Sequence, residues 1–213
     1  MERRELIQEI EERIVFMEYE PGKKLKEDEL CEEFDIGRTP LRETLIKLEC
    51  RGLIRTVPQK GTYVSAVSLQ KLRNAYEVRN YLIRQAGAKA ANRIKPTGLG
   101  NLRELVSEMR TEDDPKSLIR LDFRAHELIN QAAGNTPLTK ELRRLRQLTL
   151  RGLAAPNFNE PMGGFAEEFS KLAESLSDGD GSRTGELLGE HLKNFLEKLS
   201  RRFIATEHGR RRK

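Results

Sequence analysis

The chain has 213 residues, of which 34% are charged and only 6% aromatic, and it contains no tryptophan. A first domain of about 65 residues would leave roughly 145, enough for a second domain with its own core. No apolar run approaches the roughly 20 residues that cross a bilayer. No basic-then-apolar leader precedes the first helix. We therefore exclude a membrane protein and expect a cytoplasmic protein of two domains.

Residues 25–64 predict two helices separated by a short turn. The first helix is acidic and amphipathic, with Leu30 and Phe34 as its apolar ridge. The second helix opens with Thr39, which suits the N-cap, and Pro40, whose missing N–H costs nothing at the first helical position. This pair predicts a helix-turn-helix.

The second helix carries an apolar stripe and is followed by a hairpin. Its core-facing residues are Leu41, Leu45 and Leu48, at helical spacing, and Gly52 ends it. Two short runs rich in β-branched residues then flank the turn at residues 58–61. Helix, turn, recognition helix and hairpin in this order predict a winged helix-turn-helix.

The charge distribution favours nucleic acid as the partner of this domain. Residues 36–64 hold six basic and two acidic residues, a balance of +4, whereas residues 1–35 hold six basic and thirteen acidic residues, a balance of −7. Positive charge is thus concentrated on the recognition helix and the wing, where phosphates would be neutralised. Two alternatives are a protein-interaction module and a solvated charged face. The charge placement favours double-stranded DNA over both.

Beyond the wing the strand signals end and helical periodicity continues. Six helices are predicted, at residues 68–94, 99–111, 115–133, 136–151, 165–177 and 183–205. We therefore expect a mainly α protein, with a winged domain at residues 1–66 and an all-α six-helix bundle at residues 67–206. The basic segment at residues 207–213 is expected to be a disordered tail.

Two of the three histidines lie on strongly helical patterns in this second domain. Asp122 and His126 are four residues apart and project from one helix face. His191 lies on an apolar face directed at the core. Together they suit zinc, nickel or manganese. The alternative is that each histidine is a buried core residue without a ligand.

The N-terminal motifs resemble the DNA-binding domain of GntR-type bacterial transcription regulators over about residues 5–66. The resemblance rests on Pro-Gly-x-x-Leu at residues 21–25, GRTPLRETL at 37–45, and LECRGLI followed by QKGTYV. It implies that Arg38, Thr39 and Arg42 contact DNA and that Gly61 approaches the minor groove. Lys60, next to Gly61 in the wing, is expected to bind DNA through phosphate. The sequence departs from the family at Asp28, where many relatives carry a phosphate-contacting arginine.

The C-terminal motifs resemble the FCD effector domain of the FadR-type branch, and six helices suggest its VanR-like subgroup. The shared features are Asp-x-x-x-His at residues 122–126, AAGNTPL downstream, and a Gly-Asp pair eleven residues before His191. Metal-binding members carry one Asp and three His, and the second His follows a Glu. Here that pair is Glu168-Phe169. The resemblance leaves two readings: a three-ligand metal site completed by water or effector, or a metal-free effector site.

Arg79 matches the arginine of the family's Arg-x-x-Leu-Glu motif, although Ile83 replaces the glutamate. Directed into the bundle, its guanidinium could bind a carboxylate effector through two hydrogen bonds. The alternative is an exposed or intrahelically paired arginine.

These resemblances imply a ligand-responsive transcription regulator, usually a repressor, that binds an inverted-repeat operator as a homodimer. Its effector would be a small carboxylate. The alternative from another class is a metal-dependent hydrolase fused to a DNA-binding module. The sequence contains no His-Glu-x-x-His motif and no nucleophile motif, so we expect no enzymatic activity.

Overall fold

The computed structural model describes residues 3–16, 18–66, 69–150 and 164–210. The chain forms two compact units, an N-terminal unit of residues 1–75 with 146–156 and a C-terminal unit of residues 76–145 with 157–213. No helix in the described part of the chain is both long and apolar enough to cross a membrane.

The N-terminal unit is a winged helix-turn-helix, as predicted. In chain order its elements are α1 (Arg3–Val15), β1 (Lys24–Leu25), α2 (Glu27–Phe34), α3 (Arg38–Cys50), β2 (Ile54–Val57) and β3 (Gly61–Val64). The sequence predicted only the two strands of the hairpin. The structure adds β1, which pairs antiparallel with β3 and gives a three-stranded sheet in the order β1-β3-β2. One small hydrophobic core, mostly of aliphatic residues from all three helices and the sheet, joins these elements.

The start of α3 differs from the sequence prediction. The helix begins at Arg38, and the N-cap is Gly37 in extended conformation with no side-chain cap. Thr39 and Pro40 therefore occupy the second and third helical positions. Proline is tolerated there because the first four N–H groups of a helix have no intrahelical partner. The end is as predicted, since Gly52 has φ +75° and its N–H donates to the Glu49 carbonyl at 2.8 Å.

Every described element after the wing is helical, and the six predicted helices are present. They are α4 (Leu69–Ala91), α5 (Pro96–Thr111), α6 (Pro115–Ala132), α7 (Thr136–Leu150), α8 (Phe165–Ser177) and α9 (Gly181–Arg210). Helix α8 packs against α5, α6 and α9. This packing brings one face each of α6, α8 and α9 into the core of the unit.

The C-terminal end of α9 corrects the prediction of a disordered tail. The helix continues through Arg210, so residues 207–210 are helical. Once a helix is nucleated, each added residue gains a backbone hydrogen bond at small cost. Residues 211–213, which the prediction also covered, lie outside the described residues.

Candidate functional site

Helix α3 has a buried face and an exposed face. Leu41, Thr44, Leu45 and Leu48 are buried, whereas the residues expected to contact DNA are exposed. Those residues are Arg38, Thr39 and Arg42. The structure therefore places all three on the surface of the recognition helix, at its first two turns, where side chains and N–H groups can meet a phosphate.

Two carboxylates of α2 pair with these arginines. Arg38 donates from Nη2 to Asp28 Oδ1 at 2.8 Å, and Arg42 donates from Nε to Glu27 Oε2 at 2.9 Å. Sequence reasoning identified Asp28 only as a departure from the family and missed Glu27. The two contacts join residues that are ten and fifteen positions apart, so helical periodicity does not predict them.

The wing presents Lys60 and Gly61 at the start of β3. Lys60 is exposed, and its carbonyl accepts a hydrogen bond from the Tyr63 hydroxyl at 2.9 Å. Gly61 has φ +108°, and a Cβ built on it would lie 2.9 Å from Cε of Lys24. A side chain at residue 61 would therefore strain the backbone and displace a lysine.

Three predicted ligands meet in the core of the C-terminal unit. Asp122 and His126 from α6 and His191 from α9 are buried, and one ligand atom from each lies within 4.8 Å of the other two. Nε2 of His191 is 2.9 Å from Oδ1 of Asp122, and Nε2 of His126 is 3.5 Å from the same oxygen. Helix periodicity predicted the first pair, and the structure adds the convergence of His191 upon it.

Glu168 and Phe169 of α8 complete the surroundings of this trio. Oε2 of Glu168 lies 2.6 Å from Nδ1 of His191, and Asn194 donates to the other carboxylate oxygen at 3.0 Å. Phe169 is fully buried, with its ring centroid 5.6 Å from that of His126 and 5.0 Å from that of His191. The direction of the family's missing histidine is thus filled by an apolar ring.

Charge and burial hold this cluster in defined protonation states. Burial alone would lower the pKa of His191, but hydrogen bonds to Asp122 and Glu168 outweigh it and raise the pKa to about 9. Burial alone would raise the pKa of Asp122. The neighbouring His126, the hydrogen bond from His191 and the positive charge of Arg79 lower that pKa to about 2. In the metal-free chain His191 is therefore a cation between two carboxylates at neutral pH.

The donor set fits a divalent transition metal. One carboxylate oxygen and two imidazole nitrogens suit zinc, nickel or manganese, and three protein ligands leave a position open for a further oxygen. Glu168 contacts the His191 nitrogen that points away from the trio. A metal-ligating histidine usually has such a carboxylate partner, which fixes the orientation of its ring.

Arg79 of α4 is directed into the C-terminal unit. Its exposed fraction is only 3%, and its charge is close enough to lower the pKa of Asp122. The sequence left two alternatives for Arg79, solvent exposure and an intrahelical pair. The burial of its side chain excludes solvent exposure. A buried guanidinium next to the ligand cluster provides positive charge where a carboxylate could bind.

Comparison with known proteins agrees with both motifs. The model for bacterial regulatory proteins of the gntR family matches residues 2–64, and the model for the FCD domain matches residues 74–194. The HTH-type transcriptional repressor RspR of Escherichia coli K12 is 33% identical over 116 residues, 53% of this chain. The match spans only 51% of RspR.

Longer but weaker similarities extend over nearly the whole chain. An HTH-type transcriptional regulator from an unstable DNA locus of Streptomyces ambofaciens is 24% identical over 207 residues, 93% of this chain and 85% of that protein. The structure of E. coli McbR/YncC shares the fold, with a TM-score of 0.84 and 19% identity over 94% of this chain and 98% of that one. The chain belongs to the GntR family of transcription regulators, among those that carry a C-terminal FCD domain.

Proposed function

We propose that this regulator binds an inverted-repeat operator as a homodimer in the bacterial cytoplasm and acts as a repressor controlled by a small carboxylate. The observation that carries the proposal is the pairing of two sites in one chain. One is the exposed arginine face of α3, and the other is the buried cluster of Asp122, His126 and His191 beside Arg79. A surface that binds DNA and a buried site that binds a ligand, together in one chain, are what a ligand-controlled regulator requires.

On DNA, each residue of the exposed face has a distinct role. Arg38 and Thr39 bind phosphate at the N-terminus of α3, where free N–H groups add to the attraction. Arg42, one turn further on, binds O6 and N7 of a guanine through its guanidinium fork. Lys60 binds a phosphate from the wing, and Gly61 lets the backbone approach the minor groove.

In the C-terminal unit, Asp122, His126 and His191 would hold zinc, nickel or manganese. When bound, the ion would supply positive charge that attracts an oxygen of the effector. Arg79 binds the effector carboxylate from the side of α4. Phe169 stands where relatives have the fourth protein ligand, a histidine, and its ring keeps that side of the site apolar. Occupancy of the site therefore depends on the effector more than in relatives with four ligands.

Homodimer formation is supported by apolar surface on α4. Tyr81 is 70% exposed and Val78 is 49% exposed, and residues three apart lie on the same face of a helix. One winged domain also buries too little surface for the nanomolar affinity of operator binding. We expect Tyr81→Glu to shift full-length protein from dimer to monomer in light scattering, whereas Glu77→Gln on the same helix leaves it dimeric.

Selection of DNA from a random pool tests the proposed reading of sequence. The full-length protein should enrich an inverted repeat, and Arg42→Ala should lose about 1–3 kcal/mol of discrimination at one base position in each half-site. Lys60→Ala should weaken binding to all sequences alike and flatten the salt dependence by about one unit. Equal losses on selected and random duplexes for Arg42→Ala would contradict its role as a base reader.

A further inference from the structure

Helix α2 begins with three consecutive acids, and two of them reach the recognition helix. Asp28 accepts from Arg38 at 2.8 Å and Glu27 accepts from Arg42 at 2.9 Å. The third acid, Glu29, accepts from Lys26 at 2.6 Å, within its own turn. The same helix end thus contains two carboxylates that engage α3 and one that does not.

Helix stability alone does not account for this arrangement. Acids in the first turn of α2 interact favourably with the helix dipole, but all three acids do so equally well. In the two long-range pairs both arginines are exposed, at 67% for Arg38 and 62% for Arg42, whereas Asp28 is 80% and Glu27 only 34% exposed. Ion pairs exposed to this degree contribute little to folding. We therefore look for the effect of these two ion pairs in DNA binding, the proposed role of both arginines.

The pairs compete directly with DNA for the same N–H groups. Nη2 of Arg38 and Nε of Arg42 are hydrogen-bonded to carboxylate oxygens in the DNA-free chain. A phosphate that binds either arginine must displace the carboxylate or bind beside it. In both cases a phosphate and a carboxylate, both negative, lie within a few ångströms of each other and repel.

This competition acts on every DNA sequence. Non-specific binding depends almost entirely on phosphate contacts, so a carboxylate that neutralises an arginine weakens it. A guanine bound by the fork of Arg42 must displace Glu27 in the same way, because both use the Nε–H group. The two carboxylates therefore lower the affinity for selected and random duplexes by similar factors.

We propose that Glu27 and Asp28 occupy Arg42 and Arg38 in the free protein and thereby lower its affinity for DNA of any sequence. The proposal rests on the proposed role of α3 in contacting DNA. It goes beyond that role because it assigns to two acids, one at a position where many relatives carry arginine, the task of weakening the protein's own phosphate contacts.

The test uses full-length protein with Glu27→Gln, Asp28→Asn, the double variant, and Glu29→Gln as matched control. Each single variant removes one negative charge from the same helix turn, but only the control leaves both arginine pairs intact. Two fluorescent duplexes serve as probes, one of random sequence and one that the wild-type protein selects from a random pool. Dissociation constants are measured over a series of salt concentrations.

We expect Glu27→Gln and Asp28→Asn each to tighten binding to the random duplex about three- to tenfold more than Glu29→Gln does. Their salt dependence should steepen by about one unit, because one more cation becomes free to displace counterions. Binding to the selected duplex should tighten by a similar factor, because the same two pairs must open there. Thermal melting shows whether each variant remains folded.

The inference and the proposed role of α3 fail in different ways. If Glu27→Gln and Asp28→Asn behave like Glu29→Gln on either duplex, the inference is overturned and DNA binding by α3 stands. If Arg38→Ala and Arg42→Ala leave the affinity of the wild-type protein for both duplexes unchanged, the role of α3 itself is wrong.

Discussion

Oε2 of Glu168 lies 2.6 Å from Nδ1 of His191, while Nε2 of the same ring faces Asp122. The ring is thus held at one nitrogen by α8 and presents the other to the ligand cluster. Glu168 precedes Phe169, which occupies the position of the family's missing histidine. Glu168 therefore orients His191, a predicted ligand, even though the adjacent position is apolar.

Removing this orienting contact should weaken metal binding. We expect Glu168→Gln to lower zinc affinity about 10- to 100-fold, because the ring of His191 loses a charged partner. Glu167→Gln is the matched control, since Glu167 is exposed and pairs with Lys171 at 3.6 Å. Isothermal titration of chelator-treated protein measures both. Equal affinities for the two variants would mean that Glu168 does not support a metal site.

Restoring the fourth ligand should strengthen the site. Phe169→His places a nitrogen donor next to His126 and His191, so zinc should bind more tightly than in the wild type. Phe169→Leu, which removes the ring without adding a donor, is the control. His126→Ala should abolish binding. Metal analysis of untagged protein that finds less than about 0.1 equivalent of any transition metal, with no thermal shift on adding zinc, nickel or manganese, would show that the histidines are structural.

Proton competition at His191 should make metal affinity depend on pH. The pKa of His191 is about 9 in the metal-free chain, so a metal ion must displace its proton at neutral pH. Apparent zinc affinity should therefore rise about tenfold per unit between pH 6 and 8. Titration in two buffers of different ionisation enthalpy measures the proton released. Affinity that stays constant over this range would exclude His191 as a ligand.

The same protonation stabilises the metal-free fold below neutral pH. The pKa of His191 rises from 6.5 to about 9 on folding, so its contribution is complete below pH 6.5 and is lost as pH rises through 9. The pKa of Asp122 falls from 3.8 to about 2, so its contribution is present above pH 3.8 and is lost as pH falls through 2. In urea unfolding of metal-free protein, the stability difference between wild type and His191→Gln should shrink from pH 6.5 to pH 9.

A close approach between α9 and α4 predicts an unusual response to alanine. A Cβ on Gly185 would lie 2.8 Å from the carbonyl oxygen of Arg84, a backbone atom that cannot rotate away. Glycine to alanine in a helix ordinarily stabilises by about 1 kcal/mol. Here we expect a loss of about 1–3 kcal/mol in the free energy of unfolding. Glu190→Ala, at an exposed position of the same helix, is the control, and a stabilised Gly185→Ala would contradict the close packing.

Local patterns predicted those parts of the protein that depend on neighbours in sequence. Leu41, Leu45 and Leu48 lie on one helix face by periodicity alone, and Gly52 ends that helix because it tolerates positive φ. Asp122 and His126 share a face for the same reason. The candidate metal ligands could therefore be predicted from helix spacing together with the resemblance to the FCD domain.

The remaining features depend on tertiary packing, which spacing does not encode. The contacts of Glu27 and Asp28 with α3 depend on how two helices cross, and β1 is too short to give an alternating pattern. No role for Glu168 follows from the sequence pattern, and only the packing of α8 on α9 shows its contact with His191. The close approach of Gly185 to α4 likewise depends on tertiary packing and has no signal in the sequence pattern.

We expect occupancy of the buried cluster to control affinity for DNA. The measurement is the dissociation constant of the full-length protein for its selected duplex, after chelation and again after zinc loading, in the wild type and in His126→Ala. It should change at least about fivefold in the wild type and not at all in the variant. An unchanged dissociation constant in wild-type protein that demonstrably binds zinc, or an equal change in His126→Ala, would contradict it.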